Sequence, residues 1–250
     1  MTTDRTLWTL TGKDALTFLQ GLVTNDLRPL EAGPGIVWAA LLTPQGKYLA
    51  DFFVVRGAGG GLLIDIATPL AADTLRRLTM YRLRADVQIS PSALTVTRGL
   101  GPVPEDAMPD PRHPALGWRL YGDQPMPEPE VDWDAIRVAN LIPESGIELV
   151  PDDTYILEAG FERLHGVDFR KGCYVGQEVT ARMKHKTELR KGLVQVVMEG
   201  AAPVGSDILS HDGKPAGTLF TQNDGFAIAY LRQDRSDGIM TAGQARLWVA

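Results

Sequence analysis

Cysteine is almost absent from this chain of 250 residues, which contains a single one, Cys173. One thiol cannot form a disulfide within the chain, so a disulfide-stabilised secreted fold is not expected. The first ten residues lack the basic start and apolar run of a signal peptide. No stretch approaches the roughly 20 apolar residues that a membrane-spanning helix needs. From these absences we expect a cytoplasmic protein without a membrane partner.

Metal ligands and positive net charge are scarce as well. The four histidines are scattered and show no zinc-ligand spacing, so no metal held by this chain alone is expected. A net charge of −6 argues against direct binding of nucleic acid. The region 170–191 departs from this average, with seven basic residues against two acidic ones. Such a basic region suits an anionic ligand or partner, and it equally suits a solvated helix face.

Cys173 lies in the segment 171–178, which is Lys-Gly-Cys-Tyr-Val-Gly-Gln-Glu. Arg170 and Lys171 precede the cysteine, glycines flank it, and a helix is predicted to begin just after it. Adjacent cations and a helix N-terminus favour the thiolate form of a cysteine. The alternative is a buried cysteine that packs as a small hydrophobic side chain. The two glycines and the cluster of charge favour the reactive thiol.

The predicted helix runs from Val175 to about His185 and carries further candidate site residues. Gln177 could orient a ligand amide or cap the backbone. Glu178 falls in the first turn, where the helix dipole alone would favour it. Arg182 could meet an anionic ligand or pair with Glu178 at the i, i+4 spacing. Tyr174 could stack on an aromatic ligand or lie buried beside the loop.

Upstream, the segment 156–166 is predicted to be a short amphipathic helix whose Leu157, Phe161 and Leu164 face the core. Glu158 opens this helix and could point into a cavity. A carboxylate there could accept two parallel hydrogen bonds from an amino-pyrimidine ring such as a pterin. A glutamate that only satisfies the helix dipole is the alternative.

The remaining pattern predicts an α+β region over 1–186 and a small C-terminal β-barrel over 187–250. Strands are predicted at 36–42 and 48–55, joined by the turn Thr43-Pro44-Gln45-Gly46. Helices are predicted at 12–21, from Thr68 through Leu78, and at 131–141. The stretch 101–129 contains eight prolines and much acid, so we expect an irregular connection there. From 192 onward, short strands separated by glycine turns indicate the barrel.

Several of these segments resemble one family. The stretch 166–178 closely resembles the signature of the YgfZ-type folate-binding proteins. These are relatives of the glycine-cleavage T-protein, an aminomethyltransferase, and they include mitochondrial iron–sulfur assembly factors. The segments 18–26 and 42–47 resemble the family's opening and first hairpin. The segment 157–160, Leu-Glu-Ala-Gly, resembles the place where T-proteins hold the pterin through a glutamate.

The resemblance implies a T-protein-like ring of two interwoven α+β subdomains plus a C-terminal β-barrel. It implies tetrahydrofolate, or a one-carbon derivative of it, in a central opening. We expect the protein to be a monomer. Glu158 would hold the pterin and Cys173 would lie at the rim. The other residues predicted near the ligand are Asn25, Arg137, Asp51, Tyr174 and Arg182.

Two functions follow from this resemblance. The first is a folate-binding accessory protein for the assembly or repair of iron–sulfur clusters, which would indirectly support enzymes that modify tRNA. Its partners would be the iron–sulfur assembly machinery or client enzymes. The reacting thiolate would be Cys173, within a group of catalytic candidates. That group is Cys173, Lys171, Gln177 and Glu178.

The second is an enzyme, a tetrahydrofolate-dependent aminomethyltransferase with Asp51 as its catalytic carboxylate. T-proteins have two adjacent aspartates at this turn, whereas this chain has Leu49-Ala50-Asp51. The missing carboxylate argues against efficient aminomethyl transfer. A further departure is Lys186-Thr187, where the family often has Arg-Gly. A third reading is a folate-independent scaffold whose basic segment docks a partner.

Overall fold

The computed structural model describes residues 4–124, 130–186 and 189–250. The helices in these ranges are α1 (Ala15–Gln20), α2 (Thr68–Arg82), α3 (Trp133–Asn140) and α4 (Gln177–Lys186). The strands of the α+β region are β1 (Arg5–Thr11), β2 (Gly35–Leu42), β3 (Tyr48–Arg56), β4 (Leu62–Ala67), β5 (Gln88–Pro91), β6 (Thr95–Gly99), β7 (Met108–Pro109) and β8 (Trp118–Gly122). Those of the C-terminal region are β9 (Lys191–Glu199), β10 (Asp207–Leu209), β11 (Pro215–Asn223), β12 (Phe226–Arg232), β13 (Met240–Ala242) and β14 (Ala245–Val249).

An antiparallel five-stranded sheet in the order β2-β3-β4-β1-β5 forms the centre of the α+β region. Its strands β2 and β3 are almost wholly buried, because both faces of the sheet are covered. Alternate residues of β2 point to opposite faces. Ala39 and Leu41 therefore join the core under α1 and α2, whereas Trp38 and Leu42 join the core packed by the segment 156–167.

The predicted turn between β2 and β3 is confirmed. The amide of Gly46 donates to the carbonyl of Thr43 over 2.9 Å, and Gly46 has a φ of +77°, which glycine adopts without steric cost.

The C-terminal strands close into a six-stranded barrel in the order β10-β11-β12-β9-β14-β13. Its interior is a separate apolar core that includes Val196, Leu219 and Leu247. The predicted barrel and its short strands are confirmed, while the strand β13 was not predicted. The division of the chain after residue 186 stays a prediction. Residues 187 and 188 lie outside the described ranges. They include Thr187, which stands with Lys186 where the resembled family often has Arg-Gly.

The prediction of an irregular connection over 101–129 is wrong for its described part. This part contains β7, β8 and a short 3-10 helix at Pro114–Leu116, and β8 pairs with β6 and β7 in a three-stranded sheet. Asp110, Arg112 and Arg119 of this part are buried, and both guanidinium groups bind the carboxylate of Asp110. Residues 125–129 of the predicted connection lie outside the described ranges.

The prediction of a helix over 156–166 is also wrong, because this segment is a series of turns. Gly160 has a φ of +80°, which interrupts a right-handed helix. The amide of Phe161 reaches back five residues to the carbonyl of Ile156, over 3.0 Å. The predicted inward face is nevertheless confirmed, since Leu157, Phe161 and Leu164 are buried.

Of the helices that the structure describes, none combines the length and the apolar character needed to cross a membrane.

Candidate functional site

Lys171 fastens the first end of the cysteine segment to the α+β region. Its ammonium is buried and donates to the carbonyl oxygens of Gln20, over 2.5 Å, and of Val23. Burial lowers the pKa of Lys171 to about 8. The ammonium nitrogen also lies 5.0 Å from the centroid of the Tyr174 ring. Lys171 is thus engaged with backbone that lies about 150 residues earlier in the sequence.

Gly176 fastens the second end. It has a φ of +84°, and a Cβ atom built on it would lie 2.6 Å from the carbonyl oxygen of Thr43. The backbone at Gly176 therefore packs directly on the β2–β3 turn, in an approach that only glycine permits. Tyr174 is buried between the two fastened points, and burial raises its pKa to about 12.

Cys173 itself is exposed and free. Its neighbour Gly172 is also exposed, with open space around the position where a Cβ atom would lie. The alternative of a buried structural cysteine is therefore wrong. The thiol sits at the tip of a segment that is held on both sides, accessible to a partner or a small molecule.

The helix α4 begins at Gln177, two residues later than predicted. Gln177 is half-buried, whereas Glu178 and Arg182 are exposed. Within the described ranges no ion pair joins Glu178 to Arg182. The helix is tied instead by Lys184, whose ammonium lies 2.5 Å from a carboxylate oxygen of Glu162 in the turn segment.

Glu158 borders a small cleft between the turn segment and the barrel. Its carboxylate Oε2 accepts a hydrogen bond of 2.6 Å from the hydroxyl of Tyr230 on β12. The cleft has a volume of about 210 Å³, and Arg163 and Lys191 also line it. Burial and the neighbouring Glu158 carboxylate raise the pKa of Tyr230, so the hydroxyl stays protonated and continues to donate.

Asn25 and Arg137 are not brought to the Glu158 cleft. The side-chain amide of Asn25 donates to the carbonyls of Trp38, over 2.8 Å, and His165, over 2.6 Å. The guanidinium of Arg137 is buried and bound to carboxylates. Its partners are Glu148 and, over 2.9 Å, Asp134. Both predicted ligand residues therefore hold segments of the fold together.

Asp51 lies on β3 opposite Ala40 of β2 and is buried, with 3% of its surface exposed. Its carboxylate accepts three hydrogen bonds, from Trp38 Nε1 over 2.8 Å, from the Tyr48 hydroxyl over 2.6 Å and from Ser145 Oγ over 2.6 Å. Burial, and then the adjacent carboxylate, raise the pKa of Tyr48 well above its ordinary value. Asp51 is thus engaged by three donors and has little contact with solvent.

One group of functional candidates was missed by the sequence reasoning: a set of buried charges between the five-stranded and three-stranded sheets. Its centre is Asp65, whose carboxylate lies 2.6 Å from Arg5 Nε and 2.7 Å from Arg119 Nη2. Both neighbouring arginines lower the pKa of Asp65 against the opposing effect of burial. The sequence feature that could have indicated these buried charges is Asp65, which interrupts the apolar run 62–67.

No group of three or more His, Cys, Asp or Glu side chains is placed to hold a metal ion in the ranges that the structure covers. Cys173 therefore belongs to no such group among the described residues.

Comparisons with known proteins indicate the family and the fold. A family model described as the CAF17 C-terminal β-barrel domain matches residues 190–250. The mouse iron–sulfur cluster assembly factor IBA57, mitochondrial, is 31% identical over 94% of this chain and 77% of its own length. The human protein of that name is 29% identical with the same coverage. The IBA57 homolog, mitochondrial, of Mycosarcoma maydis is 29% identical over 94% of this chain and 64% of its own length.

Among solved structures, the glycine cleavage system aminomethyltransferase T from Bartonella henselae superimposes with a TM-score of 0.73. The match covers 99% of this chain and 83% of that one, at 13% identity. The T-protein-like fold with a C-terminal barrel, as expected from the sequence, is confirmed.

Two further facts come from the relatives. The chain spans between about half and two thirds of the length of three fungal relatives, at 64%, 54% and 54%. The names of the fungal, mouse and human relatives place those proteins in mitochondria. The expectation of a cytoplasmic protein is contradicted by these names. The missing signal peptide and disulfides, on which it rested, do not distinguish one reducing compartment from another.

Proposed function

Since this chain belongs to the IBA57 family of iron–sulfur cluster assembly factors, we propose that it takes part in assembling or repairing iron–sulfur clusters through the thiol of Cys173. The observation that carries the proposal is an exposed thiol on a segment whose two ends are fixed. A cysteine that served only packing would be buried. Here the backbone on either side is immobilised by Lys171 and Gly176 while the sulfur faces solvent.

The chemistry of that sulfur suits an iron–sulfur cluster as cargo. Thiolate is the ligand that iron–sulfur clusters prefer. The described residues offer no second cysteine and no metal-binding group beside Cys173. The remaining ligands would come from a partner of the assembly machinery or from a client enzyme, so that the cluster is held between two proteins during transfer. Gln177 and Glu178 lie at the start of α4 and are proposed to contact that partner.

We propose Glu158 as the residue that holds the pterin of a tetrahydrofolate or one-carbon derivative. The carboxylate lines a cleft and could accept from an amino-pyrimidine edge. The fit is partial, because about 210 Å³ is below the roughly 300–1,000 Å³ of typical small-molecule sites. Tyr230 also occupies one carboxylate oxygen. The cleft would therefore accept the ring end of the ligand, with Tyr230 sharing the carboxylate.

Three finer statements belong to the same proposal. The chain is proposed to act in the manner of the YgfZ-type proteins, and to support tRNA modification only through the iron–sulfur enzymes that perform it. Its division into a folate-binding region, 1–186, and a barrel, 187–250, is proposed as the functional division too. Aminomethyl transfer is less favoured, because the carboxylate of Asp51 is buried beneath three donors.

The test of the thiol is complementation. A strain that lacks the gene would receive wild-type protein, Cys173→Ser or the neighbouring Gly172→Ala, and the activities of its iron–sulfur enzymes would be measured. We expect Cys173→Ser to fail and Gly172→Ala, which alters only an open position, to restore activity. Full activity with Cys173→Ser at equal protein level would refute the role of the thiol.

The folate part is tested separately by calorimetric titration with tetrahydrofolate. We expect wild type and Cys173→Ser to bind and Glu158→Gln to bind at least tenfold more weakly, because the amide loses the charge and one acceptor. Absence of binding by wild type would refute the folate proposal and leave the role of the thiol to the complementation result.

A further inference from the structure

A second group of charged side chains lies away from Cys173 and Glu158, where the five-stranded and three-stranded sheets meet. We call it the arginine cluster. Its four guanidinium groups belong to Arg5, Arg98, Arg112 and Arg119. The carboxylates that interact with them are Asp65, Asp110 and Glu144. Four positive and three negative groups leave this cluster with one uncompensated positive charge.

Three of the guanidinium groups are each paired with a carboxylate. Arg5 and Arg119 both bind Asp65, over 2.6 and 2.7 Å. Arg112 binds Asp110 through two nitrogens, over 3.0 and 2.9 Å. These contacts are the strong, charge-assisted kind, and their donors are committed to them.

Arg98 differs from the other three. Within the described ranges no carboxylate lies at ion-pair distance from its guanidinium. The strand register places Arg98 directly opposite Arg119, so two like charges share one face of the sheet. The guanidinium carbon lies 4.5 Å from the centroid of the Trp133 ring. Burial, together with the positive charges of Arg119 and Arg112, lowers the pKa of Arg98 to about 10 against the opposing effect of Glu144.

The side chain of Arg98 also borders a cleft between the start of β1 and the strand β6. This Arg98 cleft has a volume of about 520 Å³, within the range of small-molecule sites. The hydroxyl-bearing residues Thr6, Ser92 and Thr95 line it as well. One acidic residue, Asp4, is exposed and belongs to the same lining. The cleft thus combines one unpaired cation with several hydroxyl groups.

We propose that the Arg98 cleft binds a small oxyanion, a carboxylate or phosphate group, with Arg98 as its charge partner. A guanidinium presents a planar fork of donors that matches both groups. The cation–π contact with the Trp133 ring restrains this guanidinium. A bound anion supplies the negative charge that the cluster lacks. The proposal is independent of Cys173 and of folate binding at Glu158.

The alternative is structural: Arg98 would serve only to pack on Trp133. Full-length protein would be unfolded thermally in the presence of inorganic phosphate or of glutamate as probes, with sodium chloride at matched ionic strength as the reference. A ligand that binds the native state raises the unfolding temperature as its concentration rises. Three variants are compared with wild type: Arg98→Met, Arg98→Lys, and Arg84→Met, which removes an exposed arginine outside the cleft.

We expect at least one probe to raise the unfolding temperature of wild type and Arg84→Met equally. The affinity should fall at least tenfold in Arg98→Met. Arg98→Lys keeps the charge and loses the fork, so its affinity should lie between the two, and it serves if Arg98→Met does not fold. The probe that acts identifies a carboxylate or a phosphate as the recognised group. No shift in wild type beyond the chloride reference, or an equal shift in Arg98→Met, would overturn the proposal.

Discussion

Replacement of Gly176 by alanine should destabilise the protein and displace the cysteine segment. The backbone at Gly176 has a φ of +84°, and left-handed backbone costs an L residue roughly 1–2 kcal/mol. The added Cβ would lie 2.6 Å from the carbonyl oxygen of Thr43 and 3.0 Å from Leu42 Cβ. Neither atom is the end of a flexible side chain, and such overpacking costs about 1–3 kcal/mol. Together we expect a loss of about 2–5 kcal/mol in the free energy of unfolding.

The chain supplies a matched control four residues away. Gly172 lies on the other side of Cys173, its φ is not positive, and nothing lies within 4 Å of an added Cβ. Gly172→Ala should therefore change the free energy of unfolding by less than about 0.5 kcal/mol. Urea denaturation of both variants, followed by fluorescence, measures the difference. Equal stability of the two variants would refute the claim that Gly176 fixes the segment on the β2–β3 turn.

Three further outcomes are expected in denaturation experiments. Burial lowers the pKa of Lys171 to about 8 from 10.5. Between these two pH values the unfolded chain therefore holds a proton that the native protein has lost. The contribution of Lys171 to the free energy of unfolding consequently rises with pH. The free energy of unfolding of wild type should therefore increase relative to that of Lys171→Met between these pH values. The same pH dependence in both proteins would contradict this. Asp51→Asn turns an acceptor of three donors into a group that also donates, and it should cost about 1–3 kcal/mol; a cost near zero would contradict the buried geometry. Asp65→Asn removes the charge from a fully buried pair with Arg119 and should lower the free energy of unfolding by about 3–5 kcal/mol. The control Asp73→Asn breaks an exposed pair and should lower it by less than about 1 kcal/mol. Equal losses would show that the buried pair contributes little.

Elements that depend on local chemistry could be predicted from the sequence. The helix predicted at 131–141 forms as α3, and Asp132, a residue type typical of helix caps, accepts through its carboxylate from the amide of Ala135 over 2.9 Å. The helix α2 begins at Thr68-Pro69, because proline in the first turn has no hydrogen bond to lose. In both cases the residues that decide the structure lie within one helical turn of each other.

The segment 156–166 could not be predicted, because helix and turns bury the same side chains. Spacings of three and four residues place Leu157, Phe161 and Leu164 inward in either structure. The backbone of Gly160 decides between them, and a glycine at this position is compatible with both. The burial of Arg119 was equally inaccessible, since its carboxylate partner Asp65 lies 54 residues away.

The candidate site shows a third limit, which concerns the role of a residue rather than its position. Lys171 was expected to act on the thiol because it is two residues from it in sequence. Its ammonium instead binds the carbonyls of Gln20 and Val23, and is hidden from solvent. We therefore infer a positioning role for Lys171.

The same reasoning explains why the cysteine segment needs both a lysine and a glycine. An exposed loop would let the thiol sample many positions, and holding it in one of them costs conformational entropy. Lys171 and Gly176 supply that restraint from two sides, one through hydrogen bonds and the other through close backbone packing. Between them Cys173 is exposed, and the position of an added Cβ at Gly172 is open space. A thiol that must present itself to a cluster shared with another protein gains from this combination, because the geometry is prepared before the partner arrives.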